Sequence, residues 1–420
     1  MRLDPATTSK TSQSPNTFID LFSGCGGLSL GLLMAGWNGL FCIEKSEDAF
    51  STFKTNLCEA GGRYEFSWPK WLPCEAMTTS HLLENYRSQL ESLKGGVDLI
   101  AGGPPCQGFS MAGLRSNDDP RNRLTEEYIE IVRLIEPKYL LLENVRGFQL
   151  PFAEDEMPYS QRVALQLASL GEFGYEVYSE VIDTSKFGVP QMRKRFIMLC
   201  IRKDQDSCGG NPLKILTENI RSFRDRRSIN GHKIGVREAI GDLETFGGTL
   251  IDYPDDQRFK QILYDGSGPL TAFQQLMRAG VTQKFGPDSL RLPNHTPEIV
   301  ARFSRILEEC PRGRSLSPEN REKFSTKKQC LTPLHPDMLA RTVTTLPDDM
   351  IHYGEPRILT VRENARLQTF PDWFSFKGKY TTGGHRRKKE CPRYTQVGNA
   401  VPPLLAEAIG ETLLEIASYD

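Results

Sequence analysis

The most constraining feature of the chain is a strand, a glycine turn, a helix and a second strand within its first fifty residues. Thr17-Phe18-Ile19-Asp20-Leu21-Phe22 is a short, largely apolar run closed by Ser23-Gly24-Cys25-Gly26-Gly27. Leu28, Leu30, Leu32, Leu33 and Trp37 then recur as on a helix, and Leu40-Phe41-Cys42-Ile43 is a second apolar run ending at Glu44. Short apolar runs bounded by turn residues read as buried strands, so the segment reads as βαβ. Two strands joined through a helix lie parallel, which commits the chain to an α/β architecture. Apolar runs at 97–101, 138–142 and 196–201 supply further strands, and the expectation is a doubly wound sheet.

Composition bounds the rest. Of 420 residues, 38% are hydrophobic and 25% charged, the balance of a globular protein with room for two domains. Lys and Arg number 52 against 53 Asp and Glu, so any surface for a polyanion must be local. No apolar run approaches the roughly 20 residues of a membrane span, and the expectation is a cytoplasmic protein without one. Ten cysteines include no CxxC pair, so reduced thiols and no metal are expected. Residues 1–16, rich in Thr, Ser, Gln and Pro, read as a flexible tail. The βα alternation fades after 202, which places a first domain at 17–202. A closing amphipathic helix within 390–420 completes it, leaving a second, smaller domain at 203–389.

Three places carry chemistry. The glycine turn lets backbone approach a ligand, the helix behind it offers free N–H groups, and Glu44 stands where it would reach ribose hydroxyls. The GxGxxG fingerprint is only half met, because Ser29 takes its third glycine position. The second place is Gly102-Gly103-Pro104-Pro105-Cys106-Gln107-Gly108-Phe109-Ser110, directly after the 97–101 strand. In an open α/β sheet that strand end is a ligand edge, and two prolines would hold Cys106 there as a nucleophile. A buried cysteine in a tight turn is the bland alternative, but glycines, prolines and a polar run are poor packing material. The third is Glu143-Asn144-Val145 after the 138–142 strand, joined by Gln191, Arg193 and Arg195 alternating to one face of the next.

Together these residues resemble the DNA (cytosine-5) methyltransferase family. Asp20 to Gly27, Asp119-Pro120-Arg121-Asn122, LTVRENARLQTFP at 359–371 and Gln396-Val397-Gly398-Asn399-Ala400-Val401-Pro402-Pro403 are further matches, all in the family's order. The resemblance implies a Rossmann-like S-adenosylmethionine-dependent methyltransferase sheet with a smaller target-recognition domain. It implies that Cys106 adds to C6 of a cytosine flipped out of double-stranded DNA, that Glu143 steadies N3, and that Arg195 holds O2 with Arg193 in support. Phe22, Gly24, Gly26, Gly27, Glu44, Pro104, Asn399 and Val401 would bind S-adenosylmethionine. Gln107, Ser110, Gln191, Arg227 and Lys233 would contact DNA, as would the basic tracts 221–237 and 377–393. Where the family has Gly-Asp-Ile for the adenine ring this chain has Cys74-Glu75-Ala76-Met77, and no residue is carried over for that contact.

The implied setting is a monomeric modification enzyme paired with a restriction endonuclease and associated with the nucleoid when on DNA. A tRNA cytosine-5 methyltransferase shares the apparatus, but a recognition region spanning 203–356 favours DNA. An NAD-dependent oxidoreductase would explain the glycine turn and leave Cys106 and Glu143 without a task. A catalytically silent DNA-binding protein would have no need of the cysteine.

Overall fold

The computed structural model describes residues 16–59, 61–105, 123–151, 156–205, 210–229, 231–264, 266, 268–281, 286–381 and 390–418. Its opening is the expected unit: strand β1 (Thr17–Leu21), helix α1 (Gly27–Ala35), strand β2 (Asn38–Ile43) and helix α2 (Glu47–Leu57). Helices α3 (Thr79–Asn85) and α4 (Arg87–Ser92) precede β3 (Leu99–Gly102), then α5 (Arg123–Ile135), β4 (Tyr139–Val145), α6 (Tyr159–Ala168), β5 (Tyr175–Asp183) and β6 (Lys194–Arg202). The strands form one sheet in the order β2-β1-β3-β4-β6-β5. β2, β1, β3 and β4 are parallel, and β6 runs antiparallel to both β4 and β5.

That reversal positions the site. The carboxyl ends of β1, β3 and β4 share one edge, and an antiparallel β6 begins at that edge, so residues at its start arrive beside the ends of the others. Strand alternation divides the core cleanly. Phe18, Leu99, Ala101, Tyr139, Leu141, Ile197 and Leu199 face one layer. Ile19, Leu21, Ile100, Leu140, Leu142, Phe196 and Met198 face the other, under α3 to α6. Burial on both faces is why these strands read as continuous apolar runs.

The 138–142 strand is longer than expected. β4 continues through Val145, so Glu143 and Asn144 lie within the ladder, opposite Ile197 and Phe196, rather than beyond a strand end.

The boundary expected at 202 is not a break in packing. Helices α7 (Pro212–Glu218) and α8 (Ile220–Arg226) place Leu213, Leu216 and Phe223 in the same core as α1. After them come α9 (Val236–Ile240), the two-stranded β7 (Leu250–Asp252) and β8 (Lys260–Ile262), α10 (Ala272–Arg278), α11 (Pro297–Glu309), α12 (Pro318–Lys323) and the short β9 (Thr332–Pro333) and β10 (Met350–Ile351). This stretch has two small cores of its own, one around Phe303, Ile306, Phe324 and Ile351 and one around Leu243, Ile262, Tyr264 and Leu290. The stretch also packs into the large core, through Val236, Ala239, Phe273, Met277, Leu334 and Tyr353, and buried charge adds ties to that join.

Helix α13 (Val361–Leu367) makes those ties. Thr360 and Glu363 close a capping box at its start. Arg366, fully buried, donates to Asp372 at 2.9 Å and to Asp242 at 2.9 Å, and Arg362 donates to the Asp288 carbonyl at 3.0 Å. Helix α14 (Arg393–Asn399) and the closing helix α15 (Pro403–Ala417) bring the chain back onto α1. The α1–α15 contact is backbone-close: a Cβ on Gly31 would stand 2.4 Å from both the Ala406 Cβ and the Pro403 carbonyl oxygen. Among the described residues no helix is long and apolar enough to cross a membrane.

Candidate active site

The glycine turn divides into a packed half and an open half. A Cβ on Gly27 would lie 2.4 Å from the Val401 carbonyl oxygen, and one on Gly26 would lie 2.9 Å from the Phe53 ring. Gly24 has a φ of +57°, and a Cβ there would meet nothing within 4 Å. The turn therefore rests on α14–α15 and on α2 through Gly27 and Gly26, and presents Gly24 to open space. Phe22 just before it is held at a φ of 63°, which favours glycine and signals a backbone bent to a purpose.

Glu44 is fixed at the tip of β2 by accepting the backbone N–H of Gly24 at 3.0 Å and of Ser46 at 2.7 Å. Burial raises its carboxyl pKa and those two N–H groups oppose the rise. Segment 74–77 runs beside this tip, with Met77 N donating to the Glu44 carbonyl at 2.9 Å. The departure at Ser29 also has a reason: its hydroxyl donates to the buried Asp20 carboxylate at 2.6 Å. Burial pushes the Asp20 carboxyl up to about 7, against the lowering effect of that hydrogen bond. Asn399, the last residue of α14, is exposed, and Val401 just after it lies against Gly27.

At the neighbouring strand ends the second group assembles. Glu143 Oε1 lies 2.8 Å from Arg195 Nε. Val145 is the residue opposite Arg195 in the antiparallel ladder, so Glu143 and Arg195 are diagonal neighbours on one face. Gly103 approaches the same carboxylate: its Cβ would stand 3.3 Å from Glu143 Oε2. Asn144, on the opposite face, donates to the Pro104 carbonyl at 3.3 Å and so anchors the chain leaving β3. Sequence reading assigned Asn144 no role, because side-chain amides after a strand carry no distinctive spacing. Cys106, Gln107, Ser110 and the 119–122 motif lie outside the described residues.

The alternation of Gln191, Arg193 and Arg195 is real, but two of the three point into the protein. Arg193 is 1% exposed and donates to the carbonyls of Val343, Gly398 and Ala400, each at 3.0 Å. Gln191 is fully buried, donating to the Leu367 carbonyl at 2.6 Å and accepting Val343 N at 3.0 Å. Both are buried rather than exposed as DNA contacts would be, and both stitch the start of β6 to the 340–343 segment and to α13 and α14. Arg227 is corrected likewise. It pairs with Glu407 at 2.5 Å and Glu411 at 2.6 Å and stacks on Phe223, joining α8 to α15. Most of the 221–237 tract follows it: Arg226 pairs with Glu411, and Arg224 donates to the Ile229 carbonyl at 2.6 Å. Lys233 is exposed, as a DNA contact requires.

A parallel sheet with a glycine turn and an acid at adjoining strand ends, extended by an antiparallel strand that returns an arginine to that edge, is the framework of a Rossmann-like methyltransferase. Residues 16–415 match the family model described as C-5 cytosine-specific DNA methylase, and the chain belongs to that family. It is accordingly a methyltransferase enzyme acting on DNA cytosine. It is 30% identical to the type II methyltransferase M.DdeI of Desulfomicrobium norvegicum over 94% of this chain and 88% of that one. It is 29% identical to the type II methyltransferase M.XorII of Xanthomonas oryzae pv. oryzae, over 94% and 84% of the two chains. The fold also matches the crystal structure of a DNA modification methyltransferase encoded within an Escherichia coli prophage, with a TM-score of 0.63 over 96% of this chain and 99% of that one at 22% identity.

Proposed function

We propose that the enzyme methylates C5 of a cytosine flipped out of a short, specific double-stranded DNA sequence, through a covalent bond between Cys106 and C6. The observation that carries this reading is the Glu143–Arg195 pair, standing at the sheet edge from which Gly103 and Pro104 lead into Cys106.

C5 of cytosine is a weak nucleophile. Addition of the Cys106 thiolate forms the S–C6 bond and moves the C5–C6 π electrons onto C5, with charge spreading toward N3. Glu143 shares a proton with N3 and meets that charge, while Arg195 orients Glu143 and takes the base's O2. S-adenosylmethionine, when bound, supplies the electrophilic methyl group that C5 takes up. Loss of the C5 proton to a base then re-forms the C5=C6 double bond as the S–C6 bond breaks and the Cys106 thiolate leaves. The residues are compatible with this donor: Gly24 opens onto space free of other atoms, and the adjacent Glu44 carboxylate is held in place by the Gly24 and Ser46 N–H groups. Phe22, Asn399 and Val401 border the same turn. Unstacking the target nucleotide costs a few kcal/mol, which contacts to the strand must offset.

The biological reading is modification of DNA in the cytoplasm, at the nucleoid, by a monomer serving beside a restriction endonuclease. Base-resolution mapping of 5-methylcytosine in cells expressing the protein, with Cys106→Ala in parallel, tests it. The expected result is methylation of one short motif that the variant lacks. DNA carrying 5-fluorocytosine should trap the wild-type protein covalently; trapping that persisted in Cys106→Ala would overturn the nucleophile. Methylation of RNA instead of DNA would overturn the substrate.

A further inference from the structure

With Gln191 and Arg193 buried and Arg227 paired within the protein, other residues must meet the DNA backbone, and three exposed cations stand beside the edge where β4 ends and β6 begins. Arg146 is exposed and directly follows β4. Lys194 is exposed and opens β6. Val145 pairs with Arg195 at the last rung of the β4–β6 ladder, and Arg146 and Lys194 are the residues just beyond that rung on either strand, Arg146 opening a short 3-10 helix.

On the far side of Lys194 the partner residue is Asp183, but its carboxylate is turned back to accept Ser185 N at 3.1 Å and Ser185 Oγ at 2.8 Å. The third cation is Arg341. A parallel bridge pairs Gln191 with Ala340, with Met192 N donating to the Ala340 carbonyl at 2.8 Å and Ala340 N to the Pro190 carbonyl at 3.0 Å. Gln191 and Ala340 are buried, and the adjacent Met192 and Arg341 are exposed. Arg341 thus extends the line from β4 through β6 toward the smaller lobe. Its backbone is fixed from beneath, because Arg193 and Gln191 both bond Val343. Among the described residues none of the three cations has an ion-pair partner, whereas Arg221, Arg226, Arg227 and Lys379 in the two basic tracts all do.

We infer that Arg146, Lys194 and Arg341 form a cationic rim that receives the DNA backbone phosphates flanking the target nucleotide. The inference rests on the reading of duplex DNA as substrate. The two guanidinium groups suit bidentate phosphate contacts and the ammonium a point contact, and neither kind carries sequence information. Unpaired cations on a rigid edge meet phosphate without first breaking an internal ion pair.

Binding to a duplex of arbitrary sequence, measured across about 50 to 200 mM salt, tests the rim, because each phosphate contact adds about 0.9 to the slope of log K against log salt. Arg146→Gln, Lys194→Gln and Arg341→Gln should each lower the slope by about one, and the triple variant by about three. Arg221→Gln removes a charge that is 94% exposed but paired with Asp225 on α8, and should leave the slope unchanged. Equal slopes for the triple variant and a wild-type enzyme that binds duplex would overturn the rim alone. Equal loss from Arg221→Gln would reduce it to net charge and overturn it too. A wild-type enzyme without affinity for duplex DNA would overturn the substrate reading and the rim together. Thermal melting of each variant separates these outcomes from unfolding.

Discussion

Arg193 reaches across 207 residues of sequence to hold the Ala400 carbonyl at 3.0 Å, and with the same nitrogen it holds Gly398. One buried guanidinium therefore joins the β6 entry to the turn that carries Asn399 and Val401. Arg193→Met should lower stability by roughly 2–4 kcal/mol, because the buried Val343 and Gly398 carbonyls lose their donor while Ala400 keeps the Gln368 amide. A urea midpoint measures it. The salt slope of DNA binding should not move, which separates this clamp from a phosphate contact.

The Glu143–Arg195 contact leads to a different expectation. Glu143→Gln keeps the shape of the side chain but removes the group that shares a proton with N3 and the charge that Arg195 faces. Single-turnover methyl transfer should fall by about 10²- to 10⁴-fold, the usual range for a positioned proton-transfer group. The melting temperature should fall modestly, because the pair is only 12–13% exposed and Arg195 loses its counter-charge, so the rate is compared well below it. A loss of activity below tenfold would falsify the assigned role.

Gly24 and Gly27 are adjacent in function and opposite in environment. Gly27→Ala drives a methyl group into the Val401 carbonyl, with 2.4 Å available, so the variant should be destabilised and expressed poorly. Gly24→Ala meets open space and is burdened only by a φ of +57°, at about 1 kcal/mol. It should fold yet bind S-adenosylhomocysteine more weakly, because the methyl group enters the open space proposed for that ligand. Calorimetric titration of that ligand against both variants checks the pair.

Asp20 makes stability depend on pH. Its carboxyl, ordinarily near 3.8, is pushed up to about 7 by burial, so between those values the folded chain holds a proton that the unfolded chain has released. The sign is fixed by linkage: stability from this group is present below about pH 4 and declines as pH rises to about 7, by on the order of 4 kcal/mol. Asp20→Asn cannot ionise, and the difference between its pH–stability curve and that of the wild type should follow this decline. A flat difference curve would show that the Asp20 carboxyl is not raised.

The strands of the sheet and the order of its first elements were readable because strands buried on both faces leave uninterrupted apolar runs, as at 97–101 and 196–201. Glu143 was legible for a related reason: an acid closing an apolar strand is conspicuous, and only its ladder position differed. The inward fate of Gln191 and Arg193 was not legible. Period-2 alternation says that two residues share a face, but it is silent on whether that face meets solvent or another part of the same chain. Here the other part was 340–343 and 398–400, far away in sequence. The 221–237 tract misled for the same reason, since its counter-charges Glu407 and Glu411 sit on the closing helix.

Local sequence by itself determined the βαβ start, the glycine turn and the family to which the ordered set of motifs belongs. These depend on backbone conformation and short-range periodicity, which neighbouring residues dictate. Tertiary structure alone decided which charges are spent inside the protein and which remain for a ligand. Whether an arginine is a clamp or a contact depends on what stands within a few ångströms of it, and chain closure through α13, α14 and α15 sets that distance.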